Sequence, residues 1–163
     1  MAKVQHIDAL KRIKMNFSTV GIRTPLKDYE LAYWMNVQYG MQLVCRPEVV
    51  DEWDQGTVWE YNVFDGKDPN GEPLCMIMNL SIGAQQQEST EWSLFESSPE
   101  KRLLPTVKHW DYLIIVENSD FAFDLESVLK KNEKITTAQY FEAHTQLTQR
   151  ATHLLYDIRN AYQ

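Results

Sequence analysis

The run Lys108-His109-Trp110-Asp111-Tyr112 places a histidine, a carboxylate and a phenol side by side at the head of an apolar stretch. A carboxylate beside an apolar strand can have its pKa raised by burial and then act as a general acid or base. His109 shares a side with Asp111 in an extended backbone, so the two could pass a proton between them, with Tyr112 as a third candidate. The competing reading is structural. Aspartates at strand ends commonly accept backbone N–H bonds, and a catalytic site also needs a nucleophile and an orienting shell. On that balance Asp111 is expected to anchor the fold.

Other chemistries find less material. His6, His109, His144 and His153 have no helical i,i+4 partners, neither cysteine lies near a histidine, and no zinc spacing occurs. DEWD (Asp51 to Asp54) and the loop DGKDPNGE carry oxygen ligands suited to a hard cation, but the loop lacks the EF-hand positions and reads as a solvated turn. GxGxxG, P-loop and GxSxG motifs are absent, so no cofactor is expected. Cys45 and Cys75 are the only thiols, and no CxxC exists, which suits two free thiols in a reducing, cytoplasmic compartment.

Charge and aromatics point elsewhere. The net charge of −7 is uneven: residues 1–50 carry +3, residues 51–100 carry −10, and the remainder balances. An acidic middle repels phosphates and argues against nucleic acid as a partner. Contact with RNA would have to use the basic N-terminal segment, through Lys11, Arg12 and Lys14. Of the five tryptophans, Trp53 (DEWDQ) and Trp92 (STEWS) sit in polar, acidic contexts and are expected to be exposed. Exposed aromatics rimmed by carboxylates suit a basic partner protein. A second copy of the chain is the other candidate partner.

The elements that must position these residues follow from periodicity. At 163 residues the chain is expected to form one domain. No apolar run exceeds five residues, the length of Tyr112 to Val116, which is too short to span a bilayer, and the N-terminus lacks an apolar signal core. FSTVGIRT reads as a strand. TPLKDYELAYWMNVQYG reads as a helix, with Thr24 as N-cap, Pro25 in the first turn and Gly40 as the stop. Its apolar face is taken as Leu26, Tyr29, Tyr33 and Val37, widened by Leu31, Trp34 and Met35. MQLVCR reads as a strand, and TVWEYNVF and PLCMIMNLS as a hairpin around DGKDPNGE. The stretch from Gly83 to Arg102 reads as mostly loop, with Trp92, Leu94 and Phe95 as its only apolar anchors. WDYLIIVE is a strand covered on both faces. Asp124 suits the cap of a short helix, LESVLKK. Residues 136–144 read either as a strand or as the start of one long C-terminal helix.

Three stretches together resemble the IPExxxDY family of small bacterial proteins: PLKDYELAYWMN, LLPTVKHWDYLIIVEN and QLTQRATHLLYD. The resemblance spans most of the length but about a third of the residues. Thr106 stands where the family has an acidic residue, and four residues rather than three separate it from Asp111. The resemblance implies no activity. It does imply a strand at 136–144, and hence a second strand–helix–strand unit. The expected architecture is α+β and two-layer: a largely antiparallel sheet with helices mainly on one face, and two strand–helix–strand units around a central hairpin.

Overall fold

The computed structural model describes residues 17–82 and 99–161. The basic residues Lys11, Arg12 and Lys14, and Trp92, lie outside these. The first unit is β1 (Ser18–Arg23), α1 (Asp28–Tyr39) and β2 (Val44–Cys45). The second is β9 (Tyr112–Val116), α2 (Ser119–Leu129) and β10 (Thr137–Glu142). Between them lie β5 (Val63–Lys67) and β6 (Pro73–Met78), joined by the turn at Asp68–Glu72. These strands form a six-stranded sheet in the order β10-β1-β9-β6-β5-β2, antiparallel at every pairing. β9 pairs on both sides, so α2 crosses over β1 to reach β10. With β1, α1 and β6, this is the split β-α-β arrangement. The α+β class with an antiparallel sheet is as the sequence indicates.

Alternation along the central strand decides what each face packs against. Tyr112, Ile114 and Val116 point into a core shared with α1 and α2, through Leu31, Ala32, Met35, Ala122, Leu125 and Leu129. Leu113 and Ile115 point into a second core, with Phe17, Trp110 and the helix α4 (Gln149–Asn160), through Ala151, Leu155 and Ile158. Two of the three longer helices therefore share one face, and α4 adds a layer on the other. Every residue of β9 is buried, as its unbroken apolar run requires.

The tail forms a strand followed by helices. β10 ends at Glu142, a short helix α3 (Ala143–Gln146) stops at Leu147, and α4 starts behind Thr148, whose hydroxyl accepts the Ala151 N–H at 3.2 Å.

Three sequence expectations are corrected. First, α1 buries Leu31, Ala32 and Met35, whereas Tyr29, Tyr33 and Val37 are 58%, 71% and 59% exposed. Both sets keep helical spacing, and tyrosine tolerates water at its hydroxyl end, so periodicity picked the wrong ridge. The start also differs: Glu30 accepts the Lys27 N–H at 2.9 Å as the helix opens at Asp28, and Gly40 closes it at φ 64°. Second, α2 is capped by Asn118, which accepts from Asp120 and Phe121, and so begins five residues before Asp124. Third, TVWEYNVF is two strands. β4 (Thr57–Tyr61) pairs with β3 (Val50–Asp54) in a separate ribbon, and only β5 joins the main sheet. The chain changes sheets at Asn62, whose carbonyl accepts the Met78 N–H and whose amide donates to Asp28 at 2.7 Å.

A helix side chain meets the backbone at both margins of the sheet, just before β2 and within β10. The Asn36 amide of α1 pairs with the Leu43 backbone, donating to its carbonyl at 2.9 Å and accepting its N–H at 2.8 Å. Glu126 of α2 accepts the Tyr140 N–H of β10 at 2.7 Å. Arg46 ties the β2 edge to α4: its guanidinium grips Asp65 with two bonds and donates to the carbonyls of Ile158 and Arg159 in the last turn.

Candidate functional site

Asp111 sits one residue before β9, between two strand ends, and its side chain is 14% exposed. Its Oδ2 accepts the backbone N–H of Thr24 at 3.1 Å, and its Oδ1 accepts from Arg102 Nη1 at 2.7 Å. Arg102 belongs to β8 (Glu100–Arg102), which pairs with β7 (Leu80–Ile82). The same guanidinium donates to the Trp110 carbonyl at 3.0 Å. The Asp111 main chain is equally committed, donating to Ile22 and accepting from Asn79 and Leu80.

Asn79 completes the joint. It is fully buried, its amide donates to the carbonyls of Val107 and Trp110 at 3.2 and 2.9 Å, and its Oδ1 accepts the Leu104 N–H at 2.7 Å. A buried amide is tolerable only with such partners. Asn79 and Arg102 were not singled out from sequence. An asparagine interrupting the apolar run PLCMIMNLS was the available signal for the first, and no local pattern marks the second.

The neighbours of Asp111 face different ways. His109 is exposed and lies against the Trp110 ring, centroids 4.5 Å apart. Among the described residues no hydrogen bond joins His109 to Asp111. Tyr112 is buried, and its hydroxyl donates to the Leu26 carbonyl at 2.8 Å. Burial, with Asp28, Asp111 and Glu30 adding to it, pushes its phenol well above the usual range. Trp110 lies flat on Gly21, where an added Cβ would stand 2.5 Å from the indole. The polar cluster is thus a joint that pins β1, β9 and the β7–β8 ribbon at one corner of the sheet.

A cavity of about 290 Å³ lies elsewhere, lined by Arg46, Glu48, Val50, Val63, Ile158 and Ala161. Arg46 at its wall is engaged with Asp65 and α4. Among the described residues no group of three or more His, Cys, Asp or Glu side chains could hold a metal ion.

The β3–β4 ribbon presents the other candidate. Its turn residues Gln55 and Gly56 both have positive φ, 48° and 80°, the backbone of a two-residue I′ hairpin. Register then sorts the side chains. Trp59 and Tyr61 are buried beneath the ribbon, while Asp51, Trp53, Val58 and Glu60 share its outer side. Trp53 is 71% exposed. Glu52 and Asp54, on the inner side, both pair with Lys101, at 3.0 and 2.8 Å. Asp51 and Glu60, directly opposite one another on the outer side, pair with no cation among the described residues. Asp51 and Glu60 were not separated from their acidic neighbours in the sequence. The dipeptide Gln55-Gly56 between two β-rich runs was the signal that could have done so.

An antiparallel sheet with helices on both faces, a joint in which the Asp111 and Asn79 side chains are bonded within the fold, and an exposed acidic-aromatic ribbon define the molecule. Comparison with protein families, curated proteins and solved structures returns no match. Among the described residues no helix is long and apolar enough to cross a membrane.

Proposed function

We propose that this chain is a non-catalytic binding or adaptor protein that docks a basic partner protein on the outer side of the β3–β4 ribbon. The observation that carries this is Trp53, a large aromatic side chain left in water and rimmed by the carboxylates of Asp51 and Glu60. Aromatic anchors of this kind supply much of the energy of protein interfaces, and surrounding charge supplies steering and choice of partner. The alternative, acid–base catalysis by Asp111 with His109 or Tyr112, loses support because all three are occupied otherwise. Asp111 is bonded to Thr24 and Arg102, His109 is exposed and tilted against the Trp110 ring, and Tyr112 bonds to Leu26. A reducing, cytoplasmic setting is part of the proposal, in keeping with free Cys45 and Cys75. So is the likeness to the IPExxxDY proteins, which brings no activity with it.

Affinity purification from the native cell at moderate salt, with wild-type and Trp53→Glu baits side by side, tests this reading. A stoichiometric basic protein held by the first bait and lost from the second is expected. Recovery of no stoichiometric partner, a second copy included, counts against it.

A homodimer is the second reading, favoured by the exposed Tyr29–Tyr33–Val37 ridge of α1. Sedimentation of wild type against Tyr33→Asp decides it; a monomer at every concentration removes it.

A further inference from the structure

We propose that the outer side of the β3–β4 ribbon recognises an arginine side chain of its partner, an inference that rests on the binding reading above and names the group bound. The first support is an asymmetry within four carboxylates. Lys101 satisfies Glu52 and Asp54 on the inner side, while Asp51 and Glu60 face each other across the ribbon without a cation or hydrogen bond among the described residues. Like charges directly opposite on a β-ribbon are destabilising, and nothing in the described fold compensates this pair. A bound cation would.

The second support is Trp53, the next residue along on the same side, paired across the ribbon with Val58. Directly opposed side chains stand about 4.5–5.5 Å apart across a ribbon. Successive same-side positions lie about 7 Å apart along a strand. A guanidinium resting on the Trp53 ring, within about 6 Å of its centre, can therefore aim its N–H fork at the neighbouring carboxylate pair. Lysine meets only half of these demands, because its ammonium neutralises charge but has no plane to stack and no fork to bridge two carboxylates. The acidic middle of the chain, −10 over residues 51–100, would draw such a partner in from a distance.

Calorimetric titration of the full chain with octa-arginine and octa-lysine, at low and moderate salt, tests the assignment. Octa-arginine should bind about 3–5-fold more tightly, the share expected of a cation–π contact at an exposed site. Trp53→Leu should bring that ratio close to one. Asp51→Asn with Glu60→Gln should weaken both peptides about tenfold, whereas Asp124→Asn with Glu133→Gln, which removes the same charge from other exposed positions, should change them less than about twofold. All these positions are exposed, so the fold is retained, as far-ultraviolet circular dichroism will show. Equal affinity for the two peptides, or a preference untouched by Trp53→Leu, overturns the arginine assignment. If both peptides still depend on Asp51 and Glu60, the basic-partner reading survives that result. Failure of both peptides to bind at low salt removes both readings.

Discussion

Replacing Asp111 by alanine should cost stability. The carboxylate holds two partners that belong to different parts of the chain, the Thr24 amide at 3.1 Å and Arg102 at 2.7 Å. A hydrogen bond to a charged group contributes about 1.5–3 kcal/mol. The Arg102 and Asp111 side chains keep 25% and 14% of their exposure, and Arg102 retains the Trp110 carbonyl, so water and that carbonyl recover part of the loss. The expected penalty for Asp111→Ala is about 2–3 kcal/mol in total, or about 4–12 °C in Tm for a chain of this size. Asp111→Asn can still accept from Thr24 and should lose about half as much. Urea unfolding followed by tryptophan emission, with a double-mutant cycle against Arg102→Ala, gives both the penalty and the coupling. A coupling of at least about 0.5 kcal/mol is expected for groups in direct contact. If Asp111→Ala unfolds within about 0.5 kcal/mol of wild type, the joint is not held by this carboxylate, and a role in turnover becomes the better account of it.

Other consequences can be checked in the same assay. Leu31→Ala should destabilise by about 2–5 kcal/mol and Tyr33→Ala by less than about 0.5; equal penalties would mean that α1 lies on the sheet by its tyrosine ridge after all. Gly21→Ala should lose about 1–3 kcal/mol or more because its methyl would meet the Trp110 ring at 2.5 Å, and an unchanged midpoint would show the indole free to move. Burial pushes the Cys75 thiol up to about 12 from an ordinary value of 9.0, against partial relief from Arg46. A raised folded-state value means that this stabilisation is complete below pH about 9 and is lost as pH rises towards 12. Cys75→Ala should therefore flatten the fall of the urea midpoint between pH 8 and 10, and parallel profiles would contradict the burial argument.

The sequence revealed elements better than it revealed faces. β9 was legible because five consecutive apolar residues leave a strand little choice but to be covered on both sides. Gly40 marked a helix end because the left-handed backbone there favours glycine. The two ridges of α1 compete in hydrophobicity, and only the tertiary contacts of Leu31, Ala32 and Met35 decide between them. The switch at Asn62 was hidden for a related reason: TVWEYNVF alternates correctly for one strand, and it is pairing with two different partners that breaks it. At the Asp111 joint, the aspartate could be read from its place before the strand. Arg102 and Thr24 are 9 and 87 residues away and leave no local trace.

The amide of Asn36 and the carboxylate of Glu126 have a consequence for how this molecule can meet its own kind. Growth of a sheet from one copy into the next requires vacant main-chain groups along an outer strand. Here a helix supplies an imitation neighbour at Leu43 on one margin and at Tyr140 on the other. Templated stacking into fibres is hindered at both places, which favours association through side chains, where selection can tune it residue by residue.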